Sequence, residues 1–278
     1  MGGSAPLRNA VFAGNRAVGR VAFTVTAGPG GSRRGRVHEA GSLRVRFPNG
    51  GGAAALDAVI VNTAGGMTGG DRFDLDIDVG AAAQLTVTTA AAEKIYRSLG
   101  PNTEIGVKLA VGPGGTLRWL PQETILFDQV RLRRSIDVTL ASDAKLLLAE
   151  ATVFGRSAMR ETVAEGFFSD RRRIRVDGAL VFAESNRLDG KIAQRLAQRT
   201  IAKGGVGMAS VIKVPGSETD AETVRAMQES FAGEVGVSAW NGLAVVRLVA
   251  RDGAALRHDL AAVLTALDAG PLPRLWPN

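Results

Sequence analysis

The sequence predicts a mainly β fold: layered antiparallel strands, jelly-roll or β-helix-like, with a small helical part toward the C-terminal end. Three observations carry this. Short segments alternate apolar and polar residues with period two, as a strand with one buried face does. Gly- and Pro-rich turn signals recur at roughly 8–12-residue spacing, which suits layered β architectures. Beyond residue 190 apolar residues move to helical spacing. The 35 glycines and the 45% hydrophobic content fit many turns around a sizeable core.

The elements follow in order. Residues 21–26, 43–47 and 56–61 are short apolar-rich runs bounded by Gly, Pro or Asn. Residues 72–79 give the cleanest pattern, with Phe73, Leu75, Ile77 and Val79 on one side and Asp74, Asp76 and Asp78 on the other. Residues 84–88, 104–111, 116–120, 135–140 and 145–150 continue the series. Residues 191–202 read as a helix. Thr219 and Glu222 have the form of a capping box, followed by the stripe Val224, Met227 and Phe231. Residues 243–250 return to strand. Asp252 caps a last helix that buries Leu256, Leu260, Val263, Leu264 and Leu267, and Gly270-Pro271 stops it. No linker-like tract and no constant-period repeat divides residues 1–278, so one domain is expected.

Composition removes several chemistries. There are no cysteines, hence no disulfides, thiolate metal sites or cysteine nucleophiles. The two histidines, His38 and His258, leave no multi-histidine metal site and only two candidate bases for a Ser-His-Asp triad. The N-terminal stretch lacks the apolar core of a signal peptide, and Pro6 occupies the position where the myristoylation pattern needs Ser or Thr. No apolar run reaches about 18 residues, so a soluble, cytoplasmic protein without membrane association is expected. The net charge of +7 points to nucleic acid or to an acidic protein partner. Its sharpest concentration is Arg171–Arg175, where a strand would place Arg171, Arg173 and Arg175 on one face and Arg172 and Ile174 on the other. No aromatic residue interleaves that patch, which argues against nucleic acid and for a solvated or protein-facing strand.

Few constellations carry chemistry. The turn Gly65-Gly66-Met67-Thr68-Gly69-Gly70-Asp71 could cradle an anion, but it lacks the Lys-Ser/Thr ending of a phosphate loop and precedes a strand. Asp71 as a turn-stabilising side chain is the simpler reading. Gly205–Ser210 misses the third glycine of the dinucleotide fingerprint and lacks a surrounding βαβ unit. Lys94 and Tyr96 share one side of a possible strand, without the nucleotide fold a dehydrogenase needs. Glu150 and Glu161 could act as an acid/base pair or hold a cation, which would make the protein a β-rich hydrolase or transferase. A glutamate paired with Arg156 or Arg160 is the structural alternative.

Read together, five motifs in order resemble the urease accessory proteins of the UreD (UreH) family. They are Asn62, Gly65-Gly66 and Gly69-Gly70-Asp71; Glu93–Ser98 with Lys94, Tyr96 and Arg97; Trp119–Phe127 with Pro121 and Phe127; Glu150, Gly155-Arg156 and Glu161; and Pro273–Trp276 with Arg274 and Trp276. Residues 203–217 match little. The resemblance implies a non-enzymatic scaffold that binds urease apoprotein with UreF and the GTPase UreG. It further implies assistance in nickel delivery to a metallocentre that needs a carbamylated lysine, with nickel in transit and no stably bound cofactor. Such a path should bind nickel weakly, through carboxylates instead of closed imidazole or thiolate sites. Asp71, Glu150 and Glu161 are expected to line or border it, with Glu93 after them.

Overall fold

The computed structural model describes residues 16–48, 54–156, 159, 161–268 and 270–276. The expectations about a leader or acylation site fall on residues 1–15, and the Arg160 alternative on residue 160, outside the described residues. Two sheets and a helical layer make up the rest. The first sheet, sheet A, has the order β14-β13-β11-β8-β5-β1-β2. Its strands are β1 (Val18–Gly28), β2 (Gly31–Gly41), β5 (Arg72–Val79), β8 (Thr103–Val111), β11 (Val130–Leu140), β13 (Gly166–Val176) and β14 (Ala179–Gly190). Sheet B has the order β16-β17-β15-β12-β9-β6-β4-β3. It contains β3 (Leu43–Arg46), β4 (Leu56–Asn62), β6 (Gln84–Thr89), β9 (Thr116–Trp119), β12 (Lys145–Phe154), β15 (Gly207–Val214), β16 (Glu234–Trp240) and β17 (Leu243–Ala250), with the short β7 (Glu93–Ile95) and β10 (Thr124–Leu126) at one side.

The mainly β, layered, β-helix-like expectation holds, whereas antiparallel pairing is confined to the flanks. From β4 to β13 the chain winds as a coil, passing from sheet B to sheet A and back. Neighbours within a sheet are therefore one coil apart and run the same way. β1, β5, β8, β11 and β13 are parallel in sheet A, as are β4, β6, β9 and β12 in sheet B. The β1–β2, β3–β4 and β13–β14 pairs and the β12-β15-β17-β16 ladder are antiparallel. A glycine turn that folds back as a hairpin and one that rounds a coil corner use the same residues, because both need backbone freedom at the bend.

Coil-to-coil stacking builds the core. Phe23, Ile77, Leu109, Val138 and Ile174 form one register row across sheet A, all at most 2% exposed. Leu85, Leu117 and Leu146 form the facing row in sheet B. β12 is buried on both faces, which explains its continuous apolar run. Its even-numbered residues face sheet A, while Leu147, Ala149, Ala151 and Val153 pack under the helical layer.

That layer holds α2 (Glu218–Arg225) and α3 (Gly253–Leu267); α1 (Ile192–Leu196) lies beside β14. α1 is one turn, shorter than the expected helix over 191–202, and a chain of turns follows it through 204. The cap of α2 lies two residues before the expected Thr219. Ser217 is the extended N-cap, and the Asp220 carboxylate accepts its backbone N–H at 2.9 Å. The Val224, Met227 and Phe231 stripe spans more than one element, since α2 ends at Arg225 and a 3-10 turn intervenes. α3 matches expectation: Asp252 accepts the Ala255 N–H at 2.8 Å, and all five leucine and valine positions are buried. Among the described residues no helix is long and apolar enough to cross a membrane.

Leu117 sits in the middle of its row with no exposed surface. Leu117→Ala is expected to lower unfolding free energy by about 2–5 kcal/mol through lost transfer energy and a residual cavity. A urea titration of both proteins reads the difference.

Candidate functional site

The coil has a corner where sheet B hands the chain to sheet A, and four such connections stack there. Met67, Ile95, Leu126 and Phe154 form the buried column beneath it, linked by a bridge and by the parallel β7–β10–β12 pairs. Backbone hydrogen bonds join each connection to the next: Met67 N–H to Lys94 O at 2.8 Å, Phe127 N–H to Ile95 O at 3.0 Å and Gly155 N–H to Leu126 O at 2.8 Å. On the outside a second column runs parallel. The Tyr96 hydroxyl donates to Gly65 O at 3.3 Å, and its ring meets Phe127 edge-on at 4.8 Å. The Arg156 guanidinium lies 4.3 Å from the Phe127 ring centroid, and its Nε donates to Glu161 at 2.5 Å. Tyr96, Leu99 and Met159 are exposed around this column, Leu99 by 84% and Met159 by 67%.

Two glycines make the stacking possible. Gly66 has φ +146°, and a Cβ there would lie 2.4 Å from the Tyr96 ring. Gly155 has φ +89°, and a Cβ would meet the Glu161 carbonyl oxygen at 2.2 Å. Asp71 closes the first connection from inside, accepting the Ala17 N–H at 2.8 Å and the Thr68 N–H at 2.7 Å. It is the turn-stabilising residue that the sequence suggested. Gly69 O accepts from Arg16, and Gly70 N–H reaches Asn102 O at 3.0 Å. Asn62 donates to Glu93 at 2.9 Å and accepts the Ala64 N–H. Lys94 and Arg97 are exposed, so Arg97 does not share the inward side of Ile95 as strict alternation would place it. The strand ends at Ile95, and the alternation ends with it.

A second group of motif residues lies where α3 and the C-terminal segment meet β9–β10. Trp276 is buried and donates its indole N–H to Leu120 O at 3.0 Å. Arg257 on α3 joins the Glu123 carboxylate at 2.8 Å to Trp276 O at 2.8 Å. Pro121 is buried beside them, and Arg274 lies exposed on the final turn. These residues fasten the helical layer to the coil.

Between the sheets runs a chain of buried charge that the sequence reading missed. Glu150 on β12 accepts the Trp119 indole N–H at 2.7 Å and pairs with Arg134 at 2.5 Å. Arg134, on β11 across the core, also binds Asp170 through two nitrogens at 2.8 and 3.1 Å and donates to Thr124 Oγ1. Asp170 holds Arg172 at 2.6 Å; Arg172 holds Glu184, and Arg247 closes the chain at the surface. A cavity of about 140 Å³ borders the Asp170–Arg172–Glu184 end. Burial opposes ionisation of Asp170, but Arg134 and Arg172 outweigh it and hold the carboxyl well below the usual range. One signal was legible: in an alternating strand Arg134 shares the inward parity of Leu132 and Ile136, and Arg172 that of Ile174.

The sequence-predicted acids are not brought together. Asp71 holds backbone amides, Glu150 lies between the sheets on Arg134, and Glu161 sits at the corner on Arg156. The carboxylate pair that a hydrolase or transferase would need is thus divided between different arginines. Among the described residues Glu93 has no ion-pair partner; burial raises its carboxyl to about 7 against the opposing Asn62 and Lys94 hydrogen bonds. His38 and His258 lie exposed on β2 and α3. Among the described residues no group of three or more His, Asp or Glu side chains is placed to hold a metal ion.

These corner residues are the ones that carried the resemblance, and the comparison with known proteins decides it. The family model described as UreD urease accessory protein matches residues 16–277. The chain belongs to the UreD family. A urease accessory protein UreD from Rhodopseudomonas palustris strain HaA2 is 54% identical over 268 residues, covering 96% of each chain. Another from Bradyrhizobium diazoefficiens is 53% identical over 270 residues, 97% of each. The protein named UreD 3 from Bradyrhizobium sp. strain BTAi1 is 49% identical over 268 residues, 96% of each. Membership in the UreD family gives the chain a role in urease maturation.

Two outcomes are expected of this UreD chain. Arg134→Met leaves Glu150 and Asp170 without their shared cation and should destabilise the fold by about 3–5 kcal/mol in chemical denaturation. Glu93 binds a proton on folding between its unfolded value near 4.5 and its folded value of about 7, so its contribution falls as pH rises through that window. Urea unfolding of Glu93→Gln and wild type from pH 5 to 8.5 should show the variant gaining relative stability as pH rises, with the gain levelling off above about 7.

Proposed function

We propose that this protein is a cytoplasmic urease maturation scaffold that binds urease apoprotein together with UreF and the GTPase UreG. In this role it assists nickel delivery and assembly of the urease metallocentre, without a stably bound cofactor or a reaction of its own. The observation that carries the reading is the corner: motif residues from four separate segments converge on one stacked surface, with Tyr96, Leu99 and Met159 exposed around Arg156 and Phe127. Exposed apolar and aromatic side chains held by a hydrogen-bonded ladder form a rigid patch, which can dock a partner with little ordering cost.

Nickel is cargo in this reading. With no cysteine and two histidines in the sequence, carboxylate oxygens are the ligands a passing cation would meet. Glu150 and Glu161 are engaged by arginines, and Asp71 by amides, so a cation must displace those donors to bind. Glu93 has the least committed carboxyl of the four and comes first among them, ahead of the order the sequence suggested.

The test is co-expression of the urease subunits and the other accessory proteins with the wild-type chain, without it, and with Tyr96→Ala/Leu99→Ala. The wild type should co-purify with apo-urease and support nickel-dependent activity. The double variant should lose at least about tenfold in activation, the equivalent of about 1.4 kcal/mol of binding. Unchanged activity without the chain sinks the scaffold reading; full activation by the variant removes the corner from it.

A further inference from the structure

The outer face of sheet A carries a charge pattern that the corner and the interior network leave unused. Its register aligns outward residues in four rows across β5, β8, β11 and β13. The first row reads Arg72, Glu104, Arg133, Ser169. The second reads Asp74, Gly106, Ser135, Arg171. The third reads Asp76, Lys108, Asp137, Arg173, and the fourth Asp78, Ala110, Thr139, Arg175. An acidic column on β5 thus lies three strands from a basic column on β13, about 14 Å away at the usual strand spacing. The split of the arginine cluster into Arg171, Arg173 and Arg175 outside and buried Arg172 and Ile174 inside follows the parity of the sequence.

We propose that this face pairs with a second copy of the same chain, sheet A against sheet A, about a two-fold axis parallel to the strands and midway between β8 and β11. That rotation sets β5 over the partner's β13 and β8 over the partner's β11. Asp74, Asp76 and Asp78 then meet the partner's Arg171, the partner's Arg173 and the partner's Arg175. Lys108 meets the partner's Asp137, and Glu104 the partner's Arg133. The remaining positions oppose small residues: Gly106 faces the partner's Ser135, Ala110 the partner's Thr139, and Arg72 the partner's Ser169. No like charges oppose each other in the four rows. A two-fold axis across the strands would instead lay the acidic column on itself, so the charge order selects one geometry.

Pairing within the face does not exhaust these charges. Arg72–Asp74 at 2.8 Å, Arg133–Glu104 at 3.6 Å and Arg171–Asp137 at 4.0 Å are solvent-exposed pairs, which contribute little. Asp76, Asp78, Lys108, Arg173 and Arg175 have no ion-pair partner within 4.0 Å among the described residues. A depression of about 480 Å³ beside Gly106, Ser135 and Asp74 leaves room for the partner's Arg171 to reach its acid. The strands β1 to β14 and four rows span about 24 by 26 Å, or about 600 Å² per copy. This is somewhat less than the roughly 800 Å² per partner of a standard interface, so the dimer is weak, reversible and salt-sensitive.

The test uses the full chain in sedimentation equilibrium at low and high salt, with two charge-reversed variants checked for folding by circular dichroism. Arg171→Glu/Arg173→Glu/Arg175→Glu makes both columns acidic, and Asp74→Lys/Asp76→Lys/Asp78→Lys makes both basic. Wild type should dimerise in low salt and dissociate in high salt. Each variant alone should be monomeric, with the dimer Kd raised at least about tenfold. An equimolar mixture should form a 1:1 heterodimer, because each acidic column then faces a basic one. Should a triple reversal fail to fold, Arg171→Gln/Arg173→Gln/Arg175→Gln replaces it and should still weaken the dimer. A monomeric wild type in low salt, variants that dimerise like wild type, or a mixture that stays monomeric overturns the proposal.

Discussion

Arg134 is the contact on which the arrangement of the two sheets depends. It reaches across a core otherwise made of leucine, isoleucine, valine and phenylalanine to fasten Glu150 of one sheet to Asp170 of its own. Taking these charges out of water costs several kcal/mol per ion, and an apolar set of the same volume would be at least as stable. What the charges add is a fixed pairing: an apolar interface between two flat ladders tolerates a slide of one coil, whereas Arg134 is satisfied only where Glu150, Asp170 and Thr124 converge. Glu184 and Arg247 carry the same constraint outward and tie the antiparallel end of sheet B to β13 and β14.

The corner follows from that fixed stacking. Tyr96, Phe127 and Arg156 come from three successive coils, and they touch because the coils lie in register beneath them. Gly66 and Gly155 contribute by lacking a side chain where ring or backbone passes close. The patch is therefore as rigid as the coil itself, although every residue in it belongs to a connection or a strand end. Such a surface suits recognition more than chemistry, and the division of Glu150 and Glu161 between separate arginines agrees with it.

The net positive charge of the chain is distributed by strand parity into places with different consequences. Inward charges on β11, β12 and β13 neutralise one another between the sheets. Outward charges on β5 and β13 stand apart in columns, where water and salt screen them until another surface arrives. One run of five residues, Arg171–Arg175, supplies both populations.

The sequence by itself determined the strands, their faces and the last helix, because alternation and caps act within a few residues. Residues 72–79 and 253–267 lie where their patterns placed them, and Arg172 parts from its neighbours by parity alone. Tertiary structure decided strand direction, since a corner and a hairpin share their glycines and only the location of the next coil separates them. It also decided the start of α2, where Ser217 is the first residue free to cap after β15 ends. Above all it decided the partner of Glu150. The sequence shows an acid in an apolar run and offers nearby arginines, yet the charge that meets it is on another sheet, brought there by the winding of the coil.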